Sequence, residues 1–211
     1  MTPFAIRKRI RAVVAKAGDL ARDALATAKT PASILHVAST TPAATPPSAP
    51  VATERNWELS SQAELVAHIV SYHHEGLRRD LPAFVGVAKR LEHEQSQHSA
   101  VPRGLAETLE TMSSELEAHM ESEESSLFPL LSSGARRGPI DMQVRMMERD
   151  HDDHAKHLEL IREQTANLTA PADASAEWTQ LYADLVQLEA DLRQHIYLED
   201  SILFARAAGS G

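Results

Sequence analysis

Apolar side chains recur at steps of three and four along residues 61–207, the spacing of one face of an α-helix. Four such runs are separated by breakers. The first opens on Ser61-Gln62-Ala63-Glu64, a capping-box pattern, and follows Ala67, Val70, His74, Leu77, Leu81, Phe84, Ala88 and Leu91. Pro82 lies inside it and predicts a kink or break near residues 78–82. A loop from Ser96 to Gly104 follows. The second run, from about Gly104 to Leu131, is Leu105, Leu109, Met112, Leu116, His119, Glu123 and Leu127. After Ser132, Ser133, Gly134 and Gly138–Pro139, the third is Ile140, Val144, Met147, His151, His154, Leu158 and Ile161. Thr169, Pro171 and Asp173 break it. The fourth, from about Glu177 to Ala207, begins with Trp178 and Tyr182 and follows Leu181, Leu185, Leu188, Leu192, His195, Glu199 and Ile202. Connections of this length favour antiparallel neighbours, so residues 57–208 are expected to form an all-α, up-down-up-down four-helix bundle.

These stripes contain residues that do not belong in an apolar core. His119 and Glu123 sit one turn apart on the second helix, and His195 and Glu199 repeat the arrangement on the fourth. A buried carboxylate without a partner costs several kcal/mol or takes up a proton. One such pair is equally well read as two side chains bonded to each other in a polar core. Two pairs in equivalent positions call for a shared positive charge, which a metal cluster supplies. With His74 and His151 the core inventory becomes His74, His119, Glu123, His151, His195 and Glu199, drawn from all four helices. That is enough for a dinuclear centre in which two carboxylates bridge metals roughly 3.5–4 Å apart. Imidazole and carboxylate without thiolate point to iron, with manganese next, whereas zinc prefers fewer ligands. Leu116, Met120, Met147, Leu192 and Ile196 would line a small apolar pocket suited to diatomic ligands. Carboxylate di-iron bundles built on Glu-x-x-His are the competing class. Only Glu148-Arg149-Asp150-His151 has that spacing, with its Glu off the stripe.

Composition narrows the chemistry further. The chain of 211 residues is 43% hydrophobic and 4% aromatic, which suits aliphatic helix packing. It contains no cysteine, which excludes disulfides, zinc-thiolate sites and iron–sulfur ligation by this chain. No apolar run reaches the ~20 residues of a membrane span. The net charge of -9 is unevenly spread: residues 1–50 carry seven basic and two acidic side chains, so the rest carries -14. A domain this acidic is a poor nucleic-acid binder.

The leading segment has a different character. Phe4, Ile6, Ile10, Val13, Ala17, Leu20, Ala24 and Leu25 approximate one face of a basic amphipathic helix within residues 1–29. It reads either as an element that docks on a membrane surface or protein partner, or as a helix that folds back on the acidic domain or a passive tail. Residues 30–56 hold Pro31, Pro42, Pro46, Pro47 and Pro50 among Ala, Thr and Ser and read as an extended linker. His36 has no ligand-spaced neighbour. The expected location is cytoplasmic, peripheral at a membrane if the helix docks there.

With these residues in view, the chain resembles hemerythrin-like proteins, and within them the di-iron iron–sulfur-cluster repair group. The matching stretches are Tyr72-His73-His74 with Leu81–Pro82, Val101 to Leu105, Glu115 to Glu124 with Leu127-Phe128-Pro129, Gly138 to Ile140, Asp150-His151-Asp152, Trp178 with Leu181–Tyr182, and His195 to Asp200 with Leu203–Phe204. The resemblance carries the metal ligands onto the same six residues. It implies two non-haem iron ions, oxo- or carboxylate-bridged, that bind or reduce nitric oxide or dioxygen or supply iron to stress-damaged clusters. A non-catalytic iron- or oxygen-binding or sensing module is the alternative. Ala155 stands where oxygen-carrying hemerythrins have a further His, and His154 is one residue out of place. Proteins of the repair group usually carry a leading domain with a Cys pair, which this cysteine-free chain cannot match. Asp200 stands for Asn, Ala205 for Pro and Ser122 for Lys. His73, His93, His98 and His157 are expected at the surface.

Overall fold

The computed structural model describes residues 56–133 and 137–209; the leading helix expected over residues 1–29 and all but the last residue of the linker expected over 30–56 lie outside the described residues. Four helices account for nearly all of the described chain. Helix α1 (residues 62–94) comprises Gln62–His68, a π-helical turn Ile69–His74 and Glu75–Glu94. Helix α2 (residues 105–132) comprises Leu105–Ser122, a π turn Glu123–Leu127 and Phe128–Ser132. Helix α3 is Arg137–Gln164. Helix α4 (residues 176–209) comprises Ala176–Tyr197, a π turn Leu198–Leu203 and Phe204–Gly209. No helix among the described residues is long and apolar enough to cross a membrane.

Local sequence explains the starts. The Ser61 side chain accepts from the Glu64 N–H and the Glu64 carboxylate returns to the Ser61 N–H, so the capping box is complete. Ser175 caps α4 through the Trp178 N–H. Gly104 precedes α2 with φ 84°, where a Cβ would also meet Gln164 Nε2 at 3.1 Å.

Neighbouring helices are antiparallel, as cross-helix pairs show. Between α1 and α2, Lys89 meets Glu110 while His74 meets Glu124. Between α2 and α3, Gln164 donates to Thr108 while Gln143 donates to Ser126. Between α3 and α4, Arg162 pairs with Glu189 while His151 lies beside Asp200. The topology is the up-down-up-down bundle that the periodicity predicts.

The interior contains two apolar clusters. One joins residues such as Leu81, Leu109, Met112, Leu158, Trp178 and Leu185. The other joins Leu65, Ile69, Leu127, Phe128, Met147, Leu198 and Leu203 at the opposite end. The six buried His and Glu residues singled out in the sequence lie in a layer between them.

Two expectations for α1 need correction. Ala67 is exposed and Val70 half-buried, while Leu65 and Ile69 are fully buried. The cause is the π turn, which takes one residue more than an α turn. The stripe runs Leu65 and Ile69, then His73 and His74, with Tyr72 left outside. Extending α spacing backward from His74 therefore lands on the wrong face. Pro82 neither breaks the helix nor marks its irregular turn, because Glu75–Glu94 is continuous through it. Pro82 is exposed, so the carbonyl freed by its missing N–H can turn to water.

Leu109 is fully buried and Val186 is half exposed. Leu109→Ala is expected to destabilise the metal-free protein by about 2–5 kcal/mol. Val186→Ala should stay within about 0.5 kcal/mol. Urea unfolding of both variants checks the assignment; equal shifts would contradict the packing.

Candidate metal centre

The six polar core residues converge. His74, Glu123, His195 and Glu199 place one ligating atom each within 4.8 Å of one another, and His119, Glu123, His151 and Glu199 do the same. The groups share Glu123 and Glu199, so the two carboxylates lie where they can bridge. All six side chains are buried. Three of them, His74, Glu123 and Glu199, fall in π turns, which aim consecutive residues at the same interior.

The spacing fits cations. His74 Nε2 lies 3.1 Å from His195 Nε2, and His151 Nε2 lies 3.2 Å from His119 Nε2. Neighbouring ligands of an octahedral ion with bonds of about 2.1 Å sit roughly 3 Å apart. Glu123 Oε2 is 3.4 Å from both His74 Nε2 and His119 Nε2. Glu199 lies 2.8 Å from His195 Nε2 and 3.1 Å from His151 Nε2. Neither Glu123 oxygen, nor Glu199 Oε2, has a hydrogen-bond partner. Buried carboxylate oxygens are rarely left this way, and cations bound between the two groups would satisfy them.

Two of the outward nitrogens are held by acids of an outer ring that the sequence reading missed. His74 Nδ1 lies 2.7 Å from Glu124, which also accepts from Arg78 at 2.9 Å. His151 Nδ1 lies 3.0 Å from Asp200. Asp150 stands 3.6 Å from His119 Nδ1, beyond hydrogen-bond reach. Glu124 and Asp200 thus fix the orientation of the His74 and His151 rings and leave Nε2 to face inward. Their signal was an acidic residue directly after each core glutamate: Glu123–Glu124 and Glu199–Asp200.

Electrostatics follow from burial and crowding. Burial, then repulsion from His151, pushes His119 down to about 2. Burial likewise lowers His195. For His74 burial also acts downward, but Glu123 and Glu199 outweigh it and raise the ring to about 10. His151 is raised well above the ordinary range against its burial, through Asp200 and Glu199. Burial and the charge of Glu199 raise Glu123 to about 8. Glu199 is held low despite burial by His195, His151 and His74.

Of the histidines expected at the surface, His93 is exposed. His73 is buried, stacked on His195 with ring centroids 5.2 Å apart, and lowered to about 3 by burial and then His195. It was misjudged because the π turn carries it inward. His98 is half-buried against Trp178 and pairs with Asp173, and His157 is half-buried beside Glu115. His154 is buried, and burial, then His151, lowers it to about 3. The proposed apolar lining of Leu116, Met120, Met147, Leu192 and Ile196 is buried throughout.

Comparison with known proteins places this geometry. The Hemerythrin HHE cation binding domain matches residues 65–207. The iron-sulfur cluster repair protein YtfE of Musicola paradisiaca is 38% identical over 73% of this chain and 69% of its own. The YtfE protein of Edwardsiella ictaluri is 40% identical over 74% and 70%. A probable iron-sulfur cluster repair protein of Haemophilus influenzae is 35% identical over 72% and 68%.

Without cations, His74 and Glu123 hold protons at neutral pH, and a cation entering between them must displace these. Cation uptake is therefore expected to release protons, and affinity should rise between about pH 6 and 8. Anaerobic calorimetry in two buffers of different ionisation enthalpy checks this; equal heats would contradict it.

Proposed function

The chain belongs to the hemerythrin HHE cation-binding family, and from that premise we propose that His74, His119, His151, His195, Glu123 and Glu199 hold two iron ions for use in the repair of iron–sulfur clusters damaged by nitrosative or oxidative stress. The observation that carries the reading is the sharing of Glu123 and Glu199 by two four-residue groups. Shared carboxylates support two ions side by side, and four imidazoles with two carboxylates do not saturate two octahedra. The positions left open suit a diatomic ligand, nitric oxide or dioxygen. When bound, ferrous ions supply electrons and an iron that can be given up.

The protein's own part is to hold and to release. Glu124 and Asp200 keep the His74 and His151 rings aimed inward. Protons displaced from Glu123 and His74 on loading return when iron leaves, so the layer does not keep two bare buried carboxylates. Leu116, Met120, Met147, Leu192 and Ile196 keep the site apolar on both sides and admit small uncharged ligands more readily than ions.

Anaerobic reconstitution with ferrous iron is expected to load about two ions per chain. Glu123→Ala should lose at least one of them, whereas Glu121→Ala, on the exposed face, should keep both and stay within about 0.5 kcal/mol of the parent. Iron content and thermal unfolding measure both. The loaded protein should consume nitric oxide or pass iron to a cluster-depleted acceptor. Loading without either outcome would favour the non-catalytic binding module.

A further inference from the structure

The dinuclear layer leaves two buried imidazoles unused, His73 and His154. His154 is 2% exposed, and neither of its ring nitrogens has a hydrogen-bond partner. It lies one turn beyond His151 on α3, and its ring meets His119 edge-on with centroids 5.2 Å apart. Among buried polar groups a fully unpartnered one is rare and calls for a cause. Beside it stand two further donors. His157, three residues on and therefore on the same helix face, has a buried Nδ1 that also lacks a hydrogen bond. That nitrogen is 3.5 Å from Glu115 Oε2, which reaches across from α2. One ligating atom from each of Glu115, His154 and His157 lies within 4.8 Å of the others.

We propose that His154, His157 and Glu115 form a third cation site, separate from the dinuclear layer, for one borderline divalent d-block ion such as zinc or ferrous iron. Two imidazoles, one carboxylate and a position left to water make a donor set that such ions take and that calcium and magnesium, which want oxygen throughout, do not. A tetrahedral ion with bonds of about 2.1 Å spaces its ligands roughly 3.4 Å apart, close to the 3.5 Å of the His157–Glu115 pair. The helix fixes the two histidines, and the exposed Glu115 is free to close on the ion. Exposure falls from Glu115 through the half-buried His157 to the buried His154, which touches His119. The site thus lies between solvent and the dinuclear layer, on a path by which an ion could reach or leave it.

The test starts from protein loaded anaerobically with ferrous iron, desalted and titrated with cobalt(II), whose visible absorption reports low-symmetry nitrogen and oxygen ligation. One further equivalent of cobalt is expected, with iron content unchanged. His154→Leu keeps a side chain of similar bulk in the buried position, and His157→Ala and Glu115→Gln alter less buried positions. Each should weaken the third equivalent at least tenfold while keeping the iron and the helical circular dichroism of the parent. No further equivalent in the parent, or one undiminished in all three variants, overturns the proposal. So does loss of iron from His154→Leu, which would make His154 part of the dinuclear layer. Failure of the dinuclear reading shows separately, as a parent that never loads iron before cobalt is added.

Discussion

Two fully buried glutamates govern this structure. Glu123 and Glu199 enter the core from different helices and meet four imidazoles there. An ionised carboxylate in an apolar interior costs several kcal/mol unless it is compensated. Protons on Glu123 and the His74 and His151 rings give partial compensation. Cations bound between the two groups would give more, because they would engage the oxygens that hydrogen bonds leave free. Apolar clusters at either end clamp the layer. The clusters hold the bundle together, while the layer couples its stability to what is bound.

That division explains which parts could be read in the sequence. The four helices, their antiparallel order and the six converging residues were all visible, because leucine periodicity and a repeated His-x-x-x-Glu are local signals. Failures occurred where a local rule was overridden. α spacing misplaced Ala67, Val70 and His73, because one π turn shifts everything before it. Pro82 promised a break that Glu75–Glu94 does not have. Glu124 and Asp200 received no role from the sequence, and only three-dimensional packing shows that each holds a buried imidazole.

The ring of outer acids ties the layer to the surface. Glu124 bonds His74 on one side and Arg78 on the other, and Arg78 also reaches Glu117. On the opposite pair of helices Asp200 stands behind His151. An ionised carboxylate behind an imidazole makes that ring a stronger electron donor. Asp200 therefore does for His151 what Glu124 does for His74, and more than a neutral amide at the same place would do.

The three π turns bear on how chains of this kind can be compared. A residue inserted into a helix normally rotates everything beyond it by about 100°. A π turn absorbs the extra residue within one wide turn and leaves both flanks in register with their neighbours. In Ile69–His74, Glu123–Leu127 and Leu198–Leu203 the surplus residue coincides with the inward-facing polar ones. A gap of one position at these turns, when chains are aligned, would then mark a site gained or lost rather than an error in matching. Ungapped alignment through such a turn would pair residues that point in different directions.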